Sequence, residues 1–284
     1  MPCPRPRPLQ RSAEMTTSSI GTPAIPALRL SGIDLHYGFV KALDSVDFEV
    51  RPGEVVAVLG DNGAGKSTLL KVMSGAHRPS SGAIEIGGTP TEFSSPKAAS
   101  DAGVQMVYQD LALVDAADIA TNLTLGREPL MKGPLGWLGV LDKRAMRREA
   151  ARELDALGVT TAPVTRAVEM LSGGQRQVVA IARSAVRVAS REHGVLLLDE
   201  PTAALGYAQT RQVEDLIRRM AQNGIAVVVV THNLPLCFQV ADRIVVMNRG
   251  RKVADVATSE TDNDSVVGWI TGAKAAQEHL RPVA

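Results

Sequence analysis

Five consecutive apolar residues, Val55-Val56-Ala57-Val58-Leu59, run directly into Gly60-Asp61-Asn62-Gly63-Ala64-Gly65-Lys66-Ser67-Thr68, and a helical pattern follows through Met73. An uninterrupted apolar run fits a strand buried on both faces of a parallel sheet. A chain that buries such a strand is committed to α/β construction, with other elements packed on both sides of the sheet. The loop after it matches GxxxxGK[ST] in the strand–loop–helix setting that gives this motif its meaning. Its glycines let successive backbone N–H groups turn toward a phosphate, and the helix N-terminus adds a favourable dipole. Lys66 is expected to reach the β- and γ-phosphates of ATP, and the Ser67 hydroxyl to hold Mg²⁺.

Similar apolar runs recur at Val195 to Leu198 and Ala226 to Val230, each near a helical pattern. Earlier in the chain Leu28, Leu30, Val46, Phe48 and Val50 alternate with polar residues, as half-buried antiparallel strands do. Between these parts lies a more polar, helical block. There Lys143 to Leu157 places Met146, Ala150, Leu154 and Leu157 on one face, with Gly158 positioned to end the helix. No internal repeat, heptad array or second phosphate loop is present.

Two further places carry chemistry. The run Val195 to Leu198 ends in Asp199-Glu200, at the strand end where α/β sheets hold ligands. Asp199 suits a contact to Mg²⁺ and Glu200 suits activation of an attacking water. His232 follows Thr231 at the end of another strand, where it can point at a γ-phosphate. Leu171-Ser172-Gly173-Gly174-Gln175 leads into a helix expected from Arg176 to Val188. A serine and two glycines at a helix start make a second surface suited to phosphate.

Bulk properties narrow the setting. With 284 residues and 45% hydrophobic content the chain can bury a full core, and 31 basic against 30 acidic residues leave no global field to attract nucleic acid. Cys3 and Cys237 cannot build a disulfide framework, which favours a reducing compartment. Residues 1–26 are rich in Pro, Arg, Ser and Thr without a signal-peptide core, so a disordered tail is expected, with Met15 an alternative start. No apolar run approaches the roughly 18 residues needed to span a bilayer.

Taken together these motifs resemble those of the ATP-binding cassette (ABC) ATPases, in their order and over nearly all of residues 28–270. The resemblance implies a P-loop NTPase core of RecA-like type, with an antiparallel β subdomain and a helical subdomain inserted at about 111–170. It implies one such domain over 27–272 and a tail at 273–284. Tyr37 becomes the aromatic that stacks on adenine, Gly60 to Thr68 the Walker A loop, and Gln109 the Q-loop residue that touches Mg²⁺ or the lytic water. Ser172 to Gln175 become the signature, Asp199 and Glu200 end Walker B, and His232 is the switch histidine. Lys66, Gln109, Glu200 and His232 carry the catalytic roles, and Ser67, Gln109 and Asp199 hold the metal.

Finer wording, at Val107 to Val114, Glu200 to Gly206 and Thr231 to Pro235, looks like the bacterial monosaccharide importers of ribose, xylose and fructose type. That resemblance implies transmembrane permease partners docked near Gln109 and Ala116 to Leu157, a secreted or periplasmic sugar-binding protein, and two copies of the chain sandwiching ATP. It also implies a cytoplasmic protein held at the inner face of the cell membrane. Gly206 departs from the wider pattern, where the D-loop usually carries Asp. A DNA- or ribosome-associated ATPase is the rival. Only about a hundred residues separate Lys66 from Ser172, with no coiled coil and no second cassette, which counts against it. The short stretch after Ile270 leaves no room for a large regulatory domain.

Overall fold

The computed structural model describes residues 25–203 and 205–276. The expected tail at 1–26 lies almost wholly outside the described residues, as does most of 273–284.

The chain opens with the alternating pattern as an antiparallel pair, β1 (Leu28–Tyr37) and β2 (Val40–Val50). Leu28 faces Val50 and Leu30 faces Phe48, so the apolar residues of both strands share one face. Then come β3 (Val55–Leu59) and α1 (Lys66–Met73), the buried strand and helix that flank the phosphate loop. The first sheet is completed by β4 (Ser81–Ile86) and β5 (Thr89–Pro90), in the order β2-β1-β4-β5. Next are α2 (Pro96–Asp101) and β6 (Val104–Val107). The intervening helical block holds α3 (Ile119–Thr124), α4 (Pro134–Trp137) and α5 (Lys143–Ala156). Met146, Ala150 and Leu154 form the buried face of α5, as their spacing requires, and Gly158 follows at φ +63°.

The chain returns to the core through α6 (Gly173–Ala189), β7 (Val195–Asp199), α7 (Tyr207–Gln222), β8 (Ala226–Val230) and α8 (Leu234–Val240). It finishes with β9 (Arg243–Asn248), β10 (Arg251–Ala257) and α9 (Asn263–Thr271). The expected helix start at Arg176 is corrected: Ser172 caps α6, so Gly173, Gly174 and Gln175 already form its first turn. A Ser–Gln capping box outweighs the low helix propensity of two glycines there.

The second sheet runs β10-β9-β3-β8-β7-β6, parallel from β9 through β6, with β10 antiparallel at its edge. Side chains alternate across β3. Val56 and Val58 pack with α1 and the antiparallel sheet, whereas Val55, Ala57 and Leu59 pack with the helices of the other face. Both faces of the strand are therefore covered, which is why its sequence is continuously apolar. The two sheets are tied by Arg243 on β9, buried to 8% side-chain exposure. It pairs with Glu54 Oε1 at 2.7 Å and Asp255 Oδ1 at 2.6 Å, and donates to the Glu49 carbonyl of β2. Among the described residues no helix is long and apolar enough to cross a membrane.

Candidate active site

The parallel register decides which loops meet. Val58 pairs with Val230, Asp199 pairs with Val230 from the other side, and Val107 pairs with Leu198. The chain leaves these strands along one edge, so Gly60, Thr231-His232, Glu200 and Gln109 emerge side by side in the order β3, β8, β7, β6. This is the C-terminal sheet edge expected for a ligand.

At β3 the loop is held by its glycines. Gly60 stands at φ +153°, and a Cβ there would lie 2.3 Å from the Met247 carbonyl oxygen of β9. Gly65 caps α1 at φ +101°, where a Cβ would approach the Ala42 carbonyl to 2.9 Å. No side chain caps α1, so its first N–H groups are not claimed by one. Asp61, Asn62, Gly63 and Ser67 are exposed, Gly65, Lys66 and Thr68 are half-buried, and Ala64 is buried. Lys66 Nζ donates to the carbonyls of Gly60 at 2.8 Å and Asp61 at 3.0 Å, folded back over its own loop.

At β7 and β8 the acidic groups are handled differently from each other. Burial, then the neighbouring charge of Glu200, raise the Asp199 carboxyl above its ordinary range, with Lys66 and Lys71 opposing. Asp199 accepts no side-chain hydrogen bond among the described residues. Glu200 is at φ +47°, a left-handed backbone unusual outside glycine. Its N–H donates to the Val230 carbonyl, its Oε2 accepts from the Thr231 hydroxyl at 3.0 Å, and its Oε1 lies 2.8 Å from His232 Nδ1. The His232 ring is largely exposed. Burial pushes the nearby Cys237 thiol up to about 12, and the Glu200 charge adds to this, so the thiol is inert.

Tyr37 ends β1 half-exposed, and His77 meets it edge-on with ring centroids 5.5 Å apart. Gln109 lies two residues beyond β6, exposed and without a side-chain hydrogen bond among the described residues. A cleft of about 380 Å³ flanks the loop between Asp61–Ala64 and Arg249 with Thr271. Another, of about 530 Å³, is lined by residues 78–84 and 90–93 against β4 and β5, and none of the sequence-predicted site residues lines it.

Ser172 to Gln175 are not part of this gathering. Helix α6 packs on β6 and β7 and runs back against them before feeding the start of β7, so its N-terminus lies toward the edge where the strands end, but on the β6 side of the sheet. Three strand spacings, roughly 14 Å, separate β3 from β6. Within the signature, Ser172 Oγ accepts from the Gln175 N–H at 3.3 Å while Gln175 Oε1 accepts from the Ser172 N–H at 3.1 Å. Gly173 faces open space, but a Cβ on Gly174 would lie 2.3 Å from Gln209 Cγ on α7. Gly206, which caps α7, also abuts Gln209, at its movable Oε1 end.

Sequence reasoning missed Thr231 as a partner of Glu200, although its place beside His232 at a strand end was a usable signal. It also missed His77 and Gln209, which no motif marks and only packing reveals.

The pattern of the ABC transporter family matches residues 43–203. The chain is 44% identical to the fructose import ATP-binding protein of Rhizobium meliloti, over 88% of this chain and 95% of that one. It is 40% identical to the xylose/arabinose import ATP-binding protein of Sulfolobus acidocaldarius, over 86% and 93% respectively. Among solved structures, an ATP-binding cassette of an ABC transporter in its ADP conformation superimposes with a TM-score of 0.71 at 23% identity, covering 89% of this chain and 97% of that one. Motif order, strand register and these likenesses agree, and the chain belongs to the ABC transporter family.

Proposed function

We propose that the chain is the ATP-hydrolysing subunit of an importer for a monosaccharide of the fructose, xylose/arabinose or ribose kind. The sugar-import relatives support the substrate class. The observation that carries the chemistry is the alignment of Gly60–Thr68, Glu200 and His232 along one sheet edge, with Lys66 free to leave two weak carbonyl contacts. When ATP binds, Lys66 exchanges those carbonyls for β- and γ-phosphate oxygens, and Tyr37 offers its face to the adenine. Glu200, a carboxylate, takes one proton from water as its oxygen attacks the γ-phosphorus, and the bond to the β-bridging oxygen breaks to leave ADP and phosphate. Thr231 and His232 fix the orientation of that carboxylate.

Ser67 and Asp199, with Gln109 nearby, are the residues that would hold Mg²⁺. The fit is physical: Asp199 carries a half-buried carboxyl with no hydrogen-bond donor among the described residues, whose ionised form burial and Glu200 disfavour, and a divalent cation relieves both penalties. Bound there, Mg²⁺ supplies neutralisation of charge on the transferring phosphate.

In this reading the site is completed by a second copy, which offers the Ser172 hydroxyl and the open Gly173 backbone, since α6 packs on the β6 side of the sheet, three strands from the Lys66 loop. Permease subunits dock on the helical block after Gln109, and a sugar-binding protein delivers solute to them. The protein thereby sits at the inner face of the membrane.

The test is uptake of labelled fructose, xylose, arabinose and ribose in cells whose only copy carries Glu200→Gln. Loss of uptake of at least one sugar is expected, with purified variant binding ATP while turnover falls about 10²-fold or more. Normal uptake of every sugar by that strain would remove the substrate assignment, and near-normal ATPase activity would remove Glu200 as the base.

A further inference from the structure

Between α3 and α5 the chain makes a closed loop. Leu130 bridges Leu141, the Met131 N–H donates to the Val140 carbonyl at 2.8 Å, and the Asp142 N–H donates to the Pro129 carbonyl at 2.8 Å. The tip of this lobe is apolar and uncovered: Trp137 is 92% exposed, Leu138 73% and Leu135 48%. A rigid backbone holding a tryptophan and leucines outward exposes far more apolar surface than scattered surface residues do.

The surroundings of the tip are basic. Residues 127–148 contain six Lys and Arg against two acidic residues. Lys132 on the lobe, and Lys143, Arg144 and Arg148 on the first two turns of α5, are exposed and have no acidic partner among the described residues. The two acidic groups of the segment are already engaged. Asp142 caps α5 by accepting from the Ala145 N–H, and the N–H groups of Gly126 and of Glu128 itself hold the Glu128 carboxyl below its ordinary range. Met146, Ala150 and Leu154 turn the other face of α5 into the core, so the basic face is fixed outward.

We propose that this lobe is a lipid-contact surface, with Trp137, Leu138 and Leu135 entering the headgroup boundary of an anionic membrane while Lys132, Lys143, Arg144 and Arg148 meet its phosphates. The charge complementarity selects this occupant: an aromatic and aliphatic tip ringed by unpaired cations is the composition that binds interfaces carrying negative lipid. An apolar protein groove would cover the tip but leave Lys132, Lys143, Arg144 and Arg148 unmatched, and none of the four has an acidic partner among the described residues. The lobe belongs to the same helical block that the permease is proposed to meet, and vesicle binding is read without a permease, so the two assignments fail separately.

The full-length chain is mixed with vesicles of phosphatidylglycerol and phosphatidylcholine in equal parts, and bound protein is measured by sedimentation. The chain has two tryptophans, and Trp269 is only 4% exposed, so a blue shift of emission on vesicle binding reports Trp137. Binding that weakens with salt and is lost on pure phosphatidylcholine is expected. Lys143→Gln with Arg144→Gln should weaken it about 25-fold, at about fivefold for each charge. Trp137→Ser with Leu138→Ser should weaken it about tenfold or more. Both variants should keep wild-type ATPase activity, which shows that they are folded. Absence of binding to the mixed vesicles, binding unchanged in the variants, or equal binding to pure phosphatidylcholine would each overturn the proposal. So would variants that lose co-purification with permease while the parent ignores vesicles, because the lobe would then be a protein contact.

Discussion

The two helix N-termini that the sequence marks as suited to phosphate, α1 and α6, are finished in opposite ways. At α1 the capping residue is Gly65, which has no side chain to donate or accept, so the turn stays open for an anion. At α6 the capping residue is Ser172, tied reciprocally to Gln175, so this end is stable without a ligand. The first is built from strands that lock it in place, with Gly60 pressed on Met247. The second stands in the helical block, beyond the edge of the sheet. An open end on a rigid support binds by itself. A self-capped end keeps only the Ser172 O–H and the outer backbone for a phosphate that something else presents.

The largest effect that tests this contrast comes from mixing. Lys66→Ala and Ser172→Arg should each reduce ATPase activity to near zero alone, whereas a mixed dimer has one site with both defects and one with neither. Partial recovery on mixing is expected, and continued inactivity of demonstrated mixed dimers would place the signature in its own chain's site or make the two sites inseparable. Next come the glycines. Gly60→Ala should cost about 3 kcal/mol or more in chemical denaturation, from a backbone clash and a positive φ together. Gly174→Ala should cost about 1–3 kcal/mol, because Gln209 must move. Gly173→Ala should change stability by less than about 0.5 kcal/mol yet lower ATPase activity about tenfold or more, if its open face meets a phosphate. Equal stability losses at 173 and 174 would erase the distinction between a packing glycine and a contact glycine.

The smallest effect concerns Asp199. Its raised folded-state pKa means that the native chain keeps this proton to higher pH than the unfolded chain. The associated stability is full at acid pH and is lost as pH rises through the interval between the unfolded and folded values. Asp199→Asn cannot ionise. Without nucleotide its melting temperature at neutral pH should therefore exceed that of the parent, and the gap should close toward acid pH. Added Mg²⁺ and ATP should reverse the order, and a variant that melts lower than the parent throughout would contradict the assigned cause.

Much of this was legible in the residues because the constraints are local. A continuous apolar strand, a glycine loop and a lysine specify the phosphate cradle within twenty residues, and Met146, Ala150 and Leu154 announce the buried face of α5. The weaker signals depend on distance in the chain. Strand β4 joins its sheet through β1, and β9 joins its sheet through β3, both distant in the chain, so neither place can be read before those partners are set. Gln209 matters only because two glycines, 35 residues and three residues before it, both lie against its side chain. The start of α6 escaped for another reason, since low glycine propensity was overridden by a cap that works through side chains at two positions.

The buried guanidinium of Arg243 has a mechanical consequence. It rivets the strand beside the phosphate loop to β2 of the antiparallel sheet, and removing one member of such a buried cluster typically costs about 3–5 kcal/mol. The Tyr37 sheet and the Lys66 loop are thus one stiff frame. The helical block joins that frame through the segment after Gln109 and through α6, with no comparable charged tie among the described residues. A load applied at the phosphate edge therefore meets a riveted joint between the two sheets and an unriveted one at the helical block.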